Sequence, residues 1–193
     1  MPINTQQLNQ LIFDCFSGKM RWIDGASVFP LPDLIEAFFN TRAAFRRLLD
    51  DLTDAQAAYH EPNNPMWSIS EAVTHLIYSQ NFYYNQLLDI TTSQLPHVLE
   101  AARGFGEGAK LAVPADELRT ILDSGTAQLR AAIDATLPHQ NPAQTTKIPF
   151  FGECNYATWI LLLLAHEVDH YRQAVVMRRL AKAAYPNEMN QIT

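Results

Sequence analysis

The amino-acid sequence predicts an all-α protein, a four-helix bundle preceded by a short accessory helix. Four long segments repeat apolar residues every three or four positions, which is the spacing of one buried helix face. No segment alternates apolar and polar residues over a useful length, so no sheet is expected. Only seven of the 193 residues are glycine and 48% are hydrophobic, a composition that favours helices around one core.

The accessory helix is predicted at residues 5–16, with Thr5 as its N-cap and Gly18 as its stop. Its apolar residues follow helical spacing: Leu8, Leu11, Ile12 and Phe16. Residues 18–31 contain two glycines and a proline, which predicts a connector. We therefore divide the chain into an accessory segment (1–30), a bundle (31–184) and a C-terminal tail (185–193).

The first bundle helix begins at Pro32 and Asp33, because proline suits a first turn and an acid complements the helix dipole there. The helical pattern of apolar residues ends near residues 52–54. The apolar face consists of Leu34, Phe38, Phe45, Leu48, Leu49 and Leu52. The second helix begins at Ser68, which forms a capping box with Glu71.

The third helix is predicted from residues 114–117 to Pro138, and the fourth runs from about Asn155 to Ala183. Between helices two and three, residues 90–113 hold a proline and three glycines and break any period. A connection of that length is expected to cross over, which gives the bundle an up, down, down, up order.

Histidines stand on the core-facing stripe of the fourth helix, where leucine would be expected. His166 and His170 are four residues apart, so their side chains lie one turn apart on one face. Two neutral imidazoles at this spacing can hold one transition metal, and two structural core histidines are the alternative. If helices two and four meet, His75 becomes a candidate third ligand, with a satisfied or surface imidazole as its alternative. Three histidines would leave coordination positions open to water or substrate.

Acidic residues flank this pair. Glu167 and Asp169 either accept a hydrogen bond from an imidazole N–H or form the polar side of the helix. The polar-side interpretation is favoured for Glu167, which points about 100° away from His166 around the helix. Cys154 lies twelve residues before His166, too far to be a nucleophile at this site, and is interpreted as a small buried hydrophobe.

Charge and hydropathy exclude several classes of partner. The formal net charge of −6 argues against a nucleic acid, and the arginines at 42, 46, 47, 178 and 179 are interpreted mainly as solvated helix surface. No apolar run reaches the roughly 18 residues that a membrane span needs, and the first residues lack the features of a signal peptide. Two distant cysteines form no disulfide framework. A cytoplasmic protein with a small-molecule substrate is expected.

Three stretches of the chain resemble the DinB-like (YfiT-like) metalloprotein superfamily. Residues 67–76, WSISEAVTHL, are similar to its helix-two signature, and Gly152 with residues 166–173, HEVDHYRQ, to its helix-four signature. Residues 52–56, LTDAQ, resemble the end of its first helix. The likeness covers roughly residues 31–182, with one departure: Tyr-Arg-Gln follows the second helix-four histidine where members often have Arg-Gly-Gln.

The resemblance implies a four-helix bundle that holds a divalent metal, nickel or zinc, through His75, His166 and His170. Several members are thiol-dependent S-transferases that use bacillithiol, mycothiol or glutathione, and many are dimers. We therefore hypothesise that the metal stabilises a low-molecular-weight thiolate and presents it to an electrophile. A hydrolase-type reaction and a non-enzymatic metal-binding or stress-related module stay open.

A peptidase is the rival enzyme class, because His166-Glu167-x-x-His170 is also the zinc-peptidase motif with glutamate as general base. Such enzymes need a third ligand, usually downstream, and a strand that aligns a peptide. Glu188 is the only acidic residue after His170, and no sheet is predicted. The sequence therefore favours the thiol-dependent enzyme over the peptidase.

Overall fold

A computed structural model describes residues 3–80, the backbone of 81–88, and residues 113–148 and 151–186. Helices dominate this part of the chain, which confirms the all-α class. In chain order they are α1 (Thr5–Phe16), α2 (Trp22–Gly25), α3 (Leu31–Leu48), α4 (Asp54–Ala57), α5 (Ile69–Leu88), α6 (Ala115–Thr136), a short 3-10 helix (Leu137–His139) and α7 (Tyr156–Ala184).

The predicted accessory helix matches α1 at both ends, but its N-cap is Asn4 rather than Thr5. The side-chain oxygen of Asn4 accepts hydrogen bonds from the backbone N–H groups of Gln6 (2.9 Å) and Gln7 (3.3 Å). These bonds satisfy two of the N–H groups that a helix start leaves without intrahelical partners. Asparagine and threonine both serve as caps, so neighbouring candidates are hard to separate from sequence.

Side-chain caps also define the starts of α5 and α7. The predicted capping box is confirmed: the Glu71 N–H donates to Ser68 Oγ (3.1 Å) and the Ser68 N–H donates to a Glu71 carboxylate oxygen (2.9 Å). At the start of α7, the Asn155 side chain accepts a hydrogen bond from the Thr158 N–H at 2.9 Å. Helix α3, predicted as the first helix of a bundle, ends at Leu48, a few residues earlier than predicted.

The expectation that the chain forms no sheet is wrong. Two antiparallel strands, β1 (Thr146–Ile148) and β2 (Gly152–Cys154), lie between the predicted end of the third helix and the predicted start of the fourth. Gly152 adopts a φ of +81°, a left-handed conformation that glycine reaches without the steric cost of a Cβ atom. Strands of three residues are too short to show an alternating pattern.

The chain divides into two compact units. The first consists of Met1–Arg42 and Arg130–Val168, and the second of Ala43–Leu129 and Asp169–Thr193. In the first unit Trp22 is buried, and its ring makes edge-to-face contacts with Phe16 (centroids 5.0 Å apart) and Phe151 (6.0 Å). Trp22 therefore anchors the predicted connector through its ring contacts.

The second unit has a continuous apolar core built from α3, α5, α6 and α7. Its buried side chains belong to Phe45, Leu49, Leu52, Ala57, Ile69, Ala72, Val73, Leu76, Ile77, Val113, Ala115, Leu118, Ile121, Leu122, Ala174 and Met177. Full burial of each large apolar side chain contributes about 1.5–3 kcal/mol. This packing holds the helix segments that carry His75 and His170 close together.

Some predictions stay untested. Residues 90–112 of the predicted crossover and 187–193 of the predicted tail lie outside the described residues, so the up, down, down, up order and the three-part division remain predictions. None of the described helices combines the length and the apolar character that a membrane crossing requires.

Gly125 permits a close approach between α6 and α5. A Cβ atom added there would meet Ile77 Cδ1 at 2.6 Å, and Ile77 is 1% exposed and has little room to move. The Gly125 carbonyl also accepts a hydrogen bond from Gln80 Nε2 at 2.9 Å. Gly125, although glycine has a low helix propensity, therefore allows α6 to pack closely against α5.

We expect Gly125→Ala to lower the free energy of unfolding by about 1 kcal/mol, because overpacking outweighs the gain in helix propensity. Urea unfolding followed by circular dichroism measures the change. Adding Ile77→Val should recover most of the loss, with Ile77→Val alone as the control. A more stable Gly125→Ala variant would contradict the packing argument.

Candidate metal centre

Two helices carry the three predicted ligands. His75 lies in the second turn of α5, whose start is set by the capping box, and its side chain is half-buried. His166 and His170 lie one turn apart on α7; His166 is half-buried and His170 is 7% exposed. The apolar residues around them on both helices place these positions on the buried side.

The structure brings the three imidazoles together. One ring nitrogen from each of His75, His166 and His170 lies within 4.8 Å of the other two. The rings of His75 and His170 have centroids 4.8 Å apart and are inclined by 62°. His75 and His170, which are 95 positions apart in the sequence, therefore meet because α5 packs against α7.

The protonation state of the rings suits a metal. Burial, together with the nearby His170, lowers the pKa of His75 to about 3. Burial also lowers the pKa of His170, against smaller opposite effects of Asp169 and Gln173. Both rings are therefore neutral at pH 7, and neutral imidazole nitrogen is the form that binds metal.

The donor set fits a first-row divalent cation. Two nitrogens on a tetrahedral zinc ion lie about 3.4 Å apart, since each Zn–N bond is about 2.0–2.1 Å. Nitrogens already within 4.8 Å of one another reach that separation through small side-chain rotations. Imidazole suits zinc and nickel alike, so the ligands present do not select between them.

Trp67 packs against two of the three histidine rings, a role that was not predicted from the sequence. Its indole stacks on the His170 ring, with centroids 5.3 Å apart and an interplanar angle of 11°, and meets the His75 ring edge-on at 4.5 Å. Trp67 directly precedes the Ser68 cap, and an aromatic residue at that position was the signal available. The indole therefore restricts the orientations of two of the three rings.

Ser79 is a second residue that sequence reasoning missed. Its hydroxyl lies 3.3 Å from His75 Nε2, one turn further along α5, and the residue is 1% exposed. In the tautomer whose Nε2–H donates to this hydroxyl, the lone pair of Nδ1 is left for a metal. The spacing of four residues between Ser79 and His75 was the signal in the sequence.

The interpretation of Glu167 as part of a polar helix face is wrong. Glu167 is 1% exposed, and its two oxygens accept hydrogen bonds from Arg42 Nε (2.6 Å) and Nη2 (2.7 Å). Arg42 is 2% exposed, so its interpretation as solvated surface is wrong as well. Asp169 does lie on the exposed side, where it accepts a hydrogen bond from Gln173 Nε2 (3.0 Å).

The thiols of the chain are poor nucleophiles. Cys154 is fully buried, as predicted, and burial with a smaller effect of Glu153 raises its pKa to about 11. Burial, followed by the charges of Asp14 and Asp24, also raises the pKa of Cys15. Neither thiol ionises readily at pH 7, so neither supplies a thiolate to the site.

A family model provides the decisive comparison. The model that describes the DinB superfamily matches residues 37–174, more than two thirds of the chain. The chain belongs to the DinB superfamily. The matched range includes all three histidines, Trp67 and the Arg42–Glu167 pair, and excludes α1 and α2. No match is found among curated proteins or among solved structures.

The stacking of Trp67 provides a test of this site in a DinB-superfamily protein. We expect Co²⁺ or Ni²⁺ to quench part of the tryptophan fluorescence, because the indole contacts two imidazoles of the proposed metal centre. Trp67→Phe should remove most of the quenching, and Trp22→Phe, which changes a tryptophan of the accessory segment, should preserve it. Equal quenching in the Trp67→Phe variant would place the bound ion elsewhere.

Proposed function

We propose that this DinB-superfamily protein is a metal-dependent enzyme that transfers a low-molecular-weight thiol to a small electrophile. One observation carries the proposal: in the described part of the chain, the candidate metal group consists of three histidines, and no carboxylate or thiolate completes it. Three protein ligands with open positions are typical of catalytic metal sites, whereas structural sites are closed by four. A bound zinc or nickel ion would supply Lewis-acid stabilisation of a thiolate at neutral pH.

The residues of the chain would prepare this site in distinct ways. Burial keeps His75 and His170 neutral, so their nitrogen lone pairs are available at pH 7. The indole of Trp67 covers one face of the His170 ring and limits the directions from which a substrate can approach. Ser79 holds one nitrogen of His75 through its hydroxyl.

The nucleophile would come from the co-substrate, because both cysteines of the chain are buried with raised pKa values. In the reaction, the thiol releases its proton to water, and its sulfur forms a C–S bond to the electrophilic carbon. The bond from that carbon to the leaving group breaks as the leaving group takes the electron pair. A hydrolase-type reaction would place water in the same position.

The peptidase alternative is disfavoured by the environment of Glu167. A general base must reach the water or substrate at the metal. Both oxygens of Glu167 instead accept hydrogen bonds from the buried Arg42 guanidinium. A homodimer and a cytoplasmic location remain part of the proposal and rest on the family resemblance and on composition.

The proposed activity is tested with protein loaded with Zn²⁺ or Ni²⁺, a panel of glutathione, bacillithiol and mycothiol, and a chromogenic aryl-halide electrophile. We expect thiol-dependent product formation that falls by more than about 100-fold in His75→Ala, His166→Ala or His170→Ala, since even hydrogen-bond partners of ligands contribute 10–100-fold. His139→Ala, which changes an exposed histidine, is the matched control. If no thiol in the panel supports turnover by metal-loaded protein, the transferase proposal fails and the non-enzymatic alternative gains support.

Metal removal is expected to lower the melting temperature by about 5–10 °C for an ion present at 100 times its Kd, because a ligand of the folded state alone stabilises it by about 2.7 kcal/mol. Differential scanning fluorimetry with and without a chelator measures the shift. A variant with all three histidines replaced by alanine should show no shift. An unchanged melt of the native protein after metal loss, verified by elemental analysis, would indicate an incidental site.

A further inference from the structure

We propose that the buried ion pair between Arg42 and Glu167 is a positioning device that fixes the direction in which α7 presents His166. The inference rests on the proposed metal centre and assigns a role to the glutamate of the His-Glu-x-x-His motif. Glu167 directly follows His166 and acts through the backbone of α7. It is a positioning residue and does not touch the reacting atoms.

The pair has the geometry of a directional clamp. Two parallel hydrogen bonds of 2.6 and 2.7 Å join the Arg42 guanidinium on α3 to the Glu167 carboxylate on α7. The guanidinium also lies over the Phe38 ring, with its central carbon 5.1 Å from the ring centroid. Bidentate pairing requires the two planar groups to be aligned, so it restricts both side chains to one arrangement.

Stability alone is a weak reason for such a pair. Both side chains are at least 98% buried, and the cost of removing two charges from water offsets much of their mutual attraction. Well-packed apolar side chains of similar volume often stabilise a protein equally well or better. What apolar side chains do not supply is directionality, because burial of apolar surface depends on area and not on angle.

A small rotation of α7 would disturb the metal site. Consecutive helix residues differ by 100°, so a constraint on Glu167 also sets the direction of His166. A ring nitrogen lies about 6 Å from the helix axis, and a rotation of 10° therefore moves it by about 1 Å. Productive sites tolerate displacements of about 0.5 Å. Leu163 and Leu164 nearby on α7 are also buried, but apolar contacts restrict a rotation less sharply than a bidentate ion pair, because they depend on area and not on angle.

The test replaces both charged side chains at once, so that an effect on the direction of His166 can be distinguished from an effect on the stability of the fold. Arg42→Met combined with Glu167→Met removes the pair and leaves no unpaired buried charge. We expect this variant to fold and to bind Co²⁺ about tenfold more weakly, the lower end of the effect of groups that orient metal ligands. Its Co²⁺ absorption spectrum should also change, because the ligand geometry changes.

The matched control removes a different ion pair, which is also formed by an arginine of α3. Arg46→Met with Asp123→Asn eliminates the 3.0 Å contact between α3 and α6, whose side chains are 28% and 58% exposed. We expect this variant to keep the Co²⁺ affinity and spectrum of the native protein. A second readout does not need metal: NMR contacts between the His166 and His170 rings in the metal-free protein should weaken in the Arg42→Met/Glu167→Met variant and persist in the control.

Native Co²⁺ affinity, spectrum and ring contacts in a folded Arg42→Met/Glu167→Met variant would overturn the inference and leave the pair a purely structural one. If that variant does not fold, Arg42→Lys decides, because lysine keeps the charge but offers a single-point contact. Weaker Co²⁺ binding with an altered spectrum in Arg42→Lys supports the positioning role, and unchanged binding overturns it. Native protein that binds no Co²⁺ would refute the metal centre, while the ring contacts would still test the positioning role.

Discussion

The cost of burying imidazole is the constraint on which this structure depends. A charged ring cannot be placed among the apolar side chains of α5 and α7 without a large desolvation penalty, so burial keeps His75 and His170 neutral. Neutral rings in such a core still carry polar nitrogens that need partners. Ser79 lies within hydrogen-bond distance of one nitrogen of His75, and one nitrogen from each of the three rings converges on a position that suits a cation.

The features that the sequence predicted are those with a local physical cause. The ends of α1, the capping box at Ser68 and the one-turn spacing of His166 and His170 follow from periodicity and hydrogen bonding within four residues. The convergence of His75 with that pair needed an assumption about which helices meet. It became specific only through the resemblance to a family.

The features that the sequence did not predict depend on contacts without a local signal. Arg42 and Glu167 are 125 positions apart, and each looks like an ordinary polar residue of an amphipathic helix until the fold buries both. The small sheet has strands of three residues, and Gly152 there acts through its backbone angle. The role of Trp67 was not predicted either, because stacking on an imidazole is a property of the assembled site.

The His-Glu-x-x-His motif alone therefore does not assign a role to its glutamate, because the surroundings of the carboxylate determine whether it can act as a general base. In a peptidase this carboxylate must reach the water at the metal. Here both of its oxygens accept hydrogen bonds from the buried Arg42 guanidinium. The chain also lacks a cysteine that ionises readily, since burial raises the pKa of Cys15 and of Cys154. Because the carboxylate of the motif is held by Arg42 and both thiols are buried, the nucleophile of the proposed reaction would be a co-substrate thiol or water, and a protease that uses Glu167 as its general base is disfavoured.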